Sequence, residues 1–362
     1  MKTQIYMGSF KALERSGIAR AILHQKETLL LQGVEVTDKM EKDVTVVHIN
    51  TILPNSLFTA KKAKRKKKKV IYYGHSTMED FRNSFKLSNL LAPLFKVWIK
   101  YCYNKGDIII TPTEYSKKIL DGYKLKRNVI ALSNGIDTEF FSPDKSEVQA
   151  FREKYDIKDG EKVVISVGHY IERKGVIDFV ETARKMPDVK FIWYGFTPFS
   201  VVPSHVKHAI KTAPSNVNFA GYVSRDELRT AYRSADLYAF FSHEETEGIV
   251  ILEALACEIP MVIRDIPVYD DWLEDGINVH KSQSNEEFIT KITSILDGTA
   301  VDLVKAGKMV ADERSIDSIG KKLKAIYEEL ENMPTKKELK QMKKEEKKKL
   351  KLQKQEEKKQ NK

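Results

Sequence analysis

The strongest constraint on this chain is an alternation that is run through twice: short apolar segments of strand character, separated by longer segments of helical period. In the first half the strand-like segments are Gln4 to Met7, Val44 to Ile49, Val70 to Tyr73, Ile108 to Ile110 and Val129 to Leu132. After Pro143 they are Val163 to Val167, Lys190 to Tyr194, Val217 to Phe219, Leu237 to Phe241 and Met261 to Ile263. Helical stretches such as Ile18 to Leu31 and Ser88 to Tyr103 fall between them, as the right-handed crossovers joining parallel strands require. The expected class is α/β, with two doubly wound domains facing across a cleft and ligands at the carboxyl ends of the strands. The expected boundaries are 1–142 and 143–315, then a helix over 316–332 crossing back onto the first domain, then a Lys/Glu-rich tail over 333–362. A chain of 362 residues with 41% hydrophobic content is long enough for two cores.

The net charge of +11 is concentrated in two places. Lys61 to Lys69 carries eight positive charges, and Thr335 to Lys362 carries thirteen Lys against five Glu, which leaves the remainder mildly acidic. Neither run is accompanied by a recognition helix, an RNA motif or base-stacking aromatics, so nucleic acid is not an expected partner. In the tail, Leu339, Met342 and Leu350 are too sparse for heptads. It reads either as a solvated extension or as an electrostatic anchor for an anionic membrane, where each Lys is worth roughly 1 kcal/mol within a Debye length of about 8 Å. Cys102 and Cys257 lie far apart in apolar stretches and read as structural thiols in a reducing compartment. Lys11, Glu14 and Arg15 interrupt the start of the chain, so export is not expected, and no apolar run is long enough to span a bilayer.

Several motifs fall at strand ends. Glu245 and Glu253 bracket Gly248, where the strand Leu237 to Phe241 gives way to a helical period at Ile249, Leu252, Glu253 and Ala256. A helix start offers free amides and a positive dipole to a phosphate, and flanking carboxylates suit diols; a Glu there also serves as plain dipole compensation. Gly17 opens a helix and would let backbone amides approach a phosphate. Tyr73-Gly74-His75-Ser76 ends a strand and points His75 toward the cleft, although a lone His is often structural. Asn134-Gly135-Ile136-Asp137 marks the passage between halves and is also ordinary turn chemistry. The run from Gly168 to Gly175 brings Arg173 and Lys174 beside a helix start, a fit for a diphosphate.

Together, over roughly residues 1 to 332, these residues resemble the retaining glycosyltransferases of family 4, which have the GT-B fold of two Rossmann-like domains. Glu245 to Glu253 is similar to that family's Glu-x7-Glu signature. The resemblance implies that Glu245, aided by the Gly248 and Ile249 amides, holds the donor-sugar hydroxyls and that Glu253 accepts from the ribose. It implies Lys174 on the diphosphate, Gly17 beneath it, His75 near the reacting carbon, and Asn134, Gly168 and Arg173 in the donor site. Two positions depart from the pattern: His169 stands where the family usually has Arg, and Glu247 stands where an aromatic is common, a changed pocket wall. A closer resemblance, carried by Gly74 to Phe81, Asn89 to Phe95 and Val262 to Tyr269 among others, is to bacterial glycolipid synthases acting on diacylglycerol or its monoglucoside.

That resemblance implies transfer of glucose or galactose with retention from a UDP-sugar to a lipid acceptor, monoglucosyldiacylglycerol foremost, by an enzyme lying peripherally on the inner face of the cell membrane. The first domain would then face acceptor and membrane, and the second would bind the nucleotide sugar. No Asp-x-Asp is present to carry a metal across the diphosphate, so neither metal nor cofactor is expected. The aromatic stretch Phe85 to Tyr103 suits either an interfacial or a core helix. Membrane contact is assigned to Lys66 and Lys67 of the basic block and to Phe95 and Trp98. The alternatives are a family member with a soluble or protein acceptor and a non-catalytic GT-B partner protein.

Overall fold

The computed structural model describes residues 1–334 apart from Ser9, Arg15 and Lys86, together with Gln341, Lys344 and Glu345. Most of the Lys-rich tail, including Leu339, Met342 and Leu350, lies outside the described residues.

Among the described residues twelve strands form two sheets of six. The first holds β1 (Lys2–Ile5), β2 (Glu35–Thr37), β3 (Val46–Ile49), β4 (Lys69–Tyr73), β5 (Ile108–Thr111) and β6 (Asn128–Ala131), in the order β2-β1-β3-β4-β5-β6. The second holds β7 (Lys162–Val167), β8 (Val189–Tyr194), β9 (Val217–Gly221), β10 (Leu237–Phe240), β11 (Met261–Arg264) and β12 (His280–Ser282), in the order β12-β11-β10-β7-β8-β9. All neighbours pair in parallel. Central strands such as Ile108-Ile109-Ile110-Thr111 are buried along their whole length, as helices on both faces of a parallel sheet require. The strand order reverses at β1 in one sheet and β7 in the other, and these switch points are where such sheets bind ligands.

Two strands have no counterpart among the sequence expectations, β2 and β12. Each is three residues long, lies at a sheet edge and reads Glu-Val-Thr or His-Lys-Ser, which presents no apolar run. β1 also ends at Ile5, two residues short of the expected Met7.

The helix Ile316–Asn332 lies against the first domain. Its Ile319, Leu323, Tyr327 and Leu330 share a core with Ile5, Val46 and Ile71, and Gly320 lets it approach the Gly17–Leu31 helix at Thr28. The two passages of chain between domains are bonded to each other, Ile136 N to Arg314 O and Ile316 N to Ile136 O, both at 2.9 Å. At the helix's inner face the Tyr327 hydroxyl meets Nδ1 of His48, whose ring is fully buried and stacks on Tyr73. Burial pushes the His48 imidazole down to about 3, so it is neutral and depends on Tyr327 for a polar partner.

In the Ser88–Tyr103 helix, Ala92, Ile99, Cys102 and Tyr103 face the core. Phe95 and Trp98, the two aromatics assigned to the membrane, turn inward. Trp98 Nε1 donates to Ile52 O at 2.8 Å, and Phe95 stacks on Phe81 with centroids 4.1 Å apart. An indole packed against apolar neighbours keeps its N–H by reaching a backbone carbonyl, and that reach fixes which way the helix faces. The outward row is instead Leu87, Leu90, Leu94 and Val97, with Leu90 at 75% and Leu94 at 70% exposure. Lys66 and Lys67 are exposed but lie just before β4, at the amino ends of the strands and thus opposite the cleft.

Substituting Tyr327→Phe removes the only hydrogen-bond partner that the His48 ring has among the described residues, so it should lower unfolding stability by about 1–3 kcal/mol in a denaturant titration. An unchanged midpoint would mean that this contact does not anchor the helix.

Candidate active site

The carboxyl ends of the two sheets enclose a cleft of about 470 Å³, the size of a small-molecule site. The first domain contributes Gly17, His75 and Asn134 to its walls. The second contributes Gly168, Arg173 and Lys174 after β7, and Glu245, Gly248, Ile249 and Glu253 after β10. All ten donor-site and catalytic candidates therefore line one cleft; the four membrane candidates divide, with Phe95 at its rim and the others outside it.

The sharp exit from β10 sets the geometry on the nucleotide side. Gly248 adopts φ +83°, and a Cβ there would come within 3.1 Å of the Tyr269 hydroxyl, so strain and space both select glycine. The helix Ile249–Ala256 that follows has no side-chain cap, and the Gly248 and Ile249 amides have no acceptor among the described residues. These amides and the dipole behind them form an anion-binding feature. Across the cleft, a Cβ added to Gly17 would meet nothing within 4 Å, so the backbone there is open to close approach.

Lys174 forms a buried ion pair with Glu245, whose Oε1 also accepts from Ser242 Oγ at 2.7 Å. Burial works against both charges; for Glu245 the Lys174 and Arg173 cations outweigh it and hold the carboxyl below its ordinary range. Glu253, buried one turn into the same helix, accepts from the Tyr232 hydroxyl at 3.2 Å and lies 3.9 Å from Arg20 of the first domain. Burial raises its pKa. Arg20 was not among the sequence candidates; it follows Gly17 by three residues, which puts it on the same helix face.

Arg173 is engaged elsewhere. It pairs with Asp80 at 3.0 Å, donates through Nε to Ser84 Oγ at 3.1 Å and through Nη1 to Glu244 O at 2.8 Å. Although it lines the cleft, its guanidinium ties the first domain's segment 78–84 to the loop after β10. His169, at the other candidate phosphate position, donates through Nδ1 to Phe196 O over 3.0 Å, and burial lowers its pKa, which leaves the ring neutral near pH 7. Lys174 and the Gly248 and Ile249 amides are thus the donors in this cleft that neither of these two side chains duplicates.

His75 bonds through Nε2 to Asn50 Oδ1 at 2.8 Å and stacks on Tyr73 with centroids 4.5 Å apart. Burial pushes its pKa down to about 3, so it is a neutral hydrogen-bonding group. Glu247 does more than alter a pocket wall. It is buried between the domains and accepts from both the backbone and side-chain nitrogens of Asn134. Thr113 Oγ1 adds a 2.8 Å bond to Thr246 O. Among the described residues no three His, Cys, Asp or Glu side chains are grouped as metal ligands.

Two family models match, "Glycosyl transferases group 1" over residues 147–309 and "Glycosyltransferase Family 4" over residues 16–140. The processive diacylglycerol alpha-glucosyltransferase of Acholeplasma laidlawii is 41% identical over 331 residues, which is 91% of this chain and 98% of that protein. This chain belongs to glycosyltransferase family 4. The alpha-galactosylglucosyldiacylglycerol synthase of Streptococcus pneumoniae is 28% identical, covering 83% of this chain and 81% of its own length. The fold is that of Anabaena Alr3699/HepE in complex with UDP-glucose, with a TM-score of 0.74 at 16% identity, covering 91% of this chain and 100% of that one.

One further acid of this glycosyltransferase titrates in the physiological range. Glu244 accepts from the Tyr115 hydroxyl at 3.1 and 3.2 Å, and burial, with Asp80 and Glu245 nearby, raises its pKa from 4.5 to about 7. Because the folded state holds this proton more tightly than the unfolded chain, the stability it contributes is complete below about pH 4.5 and is lost as pH rises through about 7. The stability of the native protein relative to Glu244→Gln should fall between about pH 5 and about pH 8. Parallel curves for the two proteins would show that Glu244 does not titrate there.

Proposed function

We propose that this enzyme transfers a hexose from a UDP-sugar, with retention, to a diacylglycerol-type acceptor, diacylglycerol or its monoglucoside, in membrane glycolipid synthesis. The observation that carries the reading is the end-to-end similarity to the Acholeplasma laidlawii diacylglycerol glucosyltransferase. The cleft chemistry agrees with it: carboxylates placed for hydroxyls, one lysine and free helix-start amides placed for a diphosphate, and an apolar rim.

Lys174 pairs with Glu245. A bound diphosphate offers that lysine a stronger partner and frees Glu245 to accept from hexose hydroxyls. As the bond between the anomeric carbon and the phosphate oxygen breaks, negative charge grows on the diphosphate, where Lys174 and the Gly248 and Ile249 amides meet it. The acceptor hydroxyl attacks from the same face, and the departing phosphate oxygen takes its proton. His75, neutral and oriented by Asn50, hydrogen-bonds the sugar beside the reacting carbon. Glu253 accepts from the ribose diol.

The reading places the first domain on an anionic membrane, peripherally at the inner face of the cell membrane. The row Leu87, Leu90, Leu94 and Val97 is continued by exposed Phe58 and Tyr101, with Lys61 lying over both rings and Lys105 over Tyr101. Lysines above exposed aromatics beside an aliphatic row suit an interface of headgroups and acyl chains. No helix among the described residues is long and apolar enough to cross a membrane.

The deciding assay supplies labelled UDP-glucose or UDP-galactose with vesicles containing diacylglycerol or its monoglucoside; a labelled glycolipid is expected, and transfer only to soluble acceptors would refute the reading. In that assay Glu253→Ala should raise the KM for UDP-sugar roughly ten- to a hundredfold, the worth of one charged hydrogen bond. Replacing Leu90 and Leu94 together with serine should lower binding to anionic vesicles at least about tenfold, with UDP-sugar affinity retained.

A further inference from the structure

Beside His75, the first domain's wall of the cleft is aromatic. Phe81, Phe85 and Phe95 line it together with Asp80 and Ser84, the two residues that Arg173 holds from the other domain. The local sequence explains why these rings stay at the mouth. Thr77 caps the turn Met78–Phe81 by accepting from Asp80 N at 3.0 Å; Asp80 then faces Arg173, and Phe81 falls back onto Phe95. The loop that follows is stapled by polar contacts instead of by a core. Ser84 Oγ donates to Asp80 O at 2.9 Å, Asn83 and Asn89 exchange two bonds of 3.0 and 2.8 Å, and Phe85 N donates to Ser88 Oγ at 3.4 Å.

Phe85 is thereby held 47% exposed at the edge of a polar cleft. Two residues on, Leu87 has φ +64°, a left-handed conformation that is strained for a leucine, and it is 70% exposed. Strain that keeps an apolar side chain in water marks a surface built for contact. Apolar side chains succeed one another along this segment: Leu94, Leu90 and Leu87 are exposed on the helix and its start, Phe85 lies two residues before Leu87, and Phe85 and the stacked Phe81 and Phe95 line the cleft that also holds His75 and Glu245.

We propose that Phe81, Phe85 and Phe95 form the acceptor threshold, an acyl–glycerol subsite over which the glycerol end of a diacylglycerol-type lipid enters the cleft while its chains remain on the Leu87, Leu90 and Leu94 row. This rests on the function proposed above. The occupant is an acyl lipid because the path is apolar along its length, joins the cleft at the donor-sugar wall, and begins on the helix whose other end carries the lysine-capped Tyr101. Arg173 acts as a positioning residue, holding this wall against the donor loop through Asp80, Ser84 and Glu244 O.

Phe85 is the residue to change, since its exposure makes substitution benign for folding. With diacylglycerol presented in vesicles at varied mole fraction, Phe85→Ser should raise the apparent KM for lipid roughly tenfold, the worth of one large apolar side chain in contact. Efficiency on vesicular diacylglycerol should fall roughly tenfold further than on water-soluble monobutyrylglycerol, and Phe85→Leu should recover most of the loss. UDP binding by calorimetry and vesicle flotation serve as controls for the donor site and the membrane row. If Phe85→Ser follows the native mole-fraction curve, or loses activity equally on both acceptors, the threshold is wrong while the function stands. If the native enzyme makes no lipid product, the functional reading falls and the threshold with it.

Discussion

The molecule depends on an ion pair that would be unfavourable anywhere else in it. Glu245 is buried and Lys174 is mostly covered, and neither charge would be favourable there alone, because an unpaired charge out of water costs several kcal/mol. Together they hold an ammonium group at the mouth of a helix whose first amides are free. Under the proposed function, a dianionic ligand would meet positive groups already desolvated and aimed, leaving little reorganisation for the chemical step, and the carboxylate it displaced would be open to the hydroxyl donors of a hexose.

The loop that carries Glu245 also joins the domains. Three of four consecutive residues reach the first domain directly and one through an intermediary: Glu244 receives the Tyr115 hydroxyl, Thr246 offers its carbonyl to Thr113, Glu247 takes both nitrogens of Asn134, and Glu245 lies 3.9 Å from Arg173 of its own domain, whose guanidinium grips Asp80 of the first. None of these contacts is apolar, so the closed arrangement is held by directional bonds whose strength depends on local charge. Neutralising or adding one charge in the loop changes the electrostatics of its neighbours. Glu244, Asp80 and Glu245 lie near one another and near Arg173 and Lys174, and burial, with the neighbouring carboxylates adding to it, raises Glu244 into the neutral range. The domain contacts thus share side chains with the candidate site.

How much of this could be read from residues alone follows from the physics of each feature. The parallel sheets were legible because buried strands are continuous apolar runs; β2 and β12 were not, since edge strands bury little and carry no such run. The positions of Glu245, Gly248 and Glu253 were legible because a strand-to-helix turn leaves a glycine and a change of period. Their partners were not. Nothing in the sequence links Arg173 to Asp80 or Glu247 to Asn134, which are 93 and 113 positions apart. The inward packing of Phe95 and Trp98 was hidden for the same reason: composition shows that a helix is too apolar for one buried stripe, but only packing shows which aromatics turn toward the core and which residues are left outside.

That remainder is arranged with a direction. The Ser88–Tyr103 helix begins at the carboxyl ends of the strands, beside the cleft, and runs about 24 Å toward their amino ends. Its cleft end exposes Leu87, Leu90 and Leu94, while Tyr101 near its far end lies under Lys61 and Lys105. A surface that is aliphatic near the reacting groups and cationic away from them suits an acceptor delivered from the side. Acyl chains need contact where the glycerol must enter, whereas headgroup anions can be met at a distance, because charge acts over a Debye length of about 8 Å and apolar contact does not. Under the proposed function the basic block would tether the enzyme and the leucine row align it, with Lys66 and Lys67 at the end of the domain opposite the cleft.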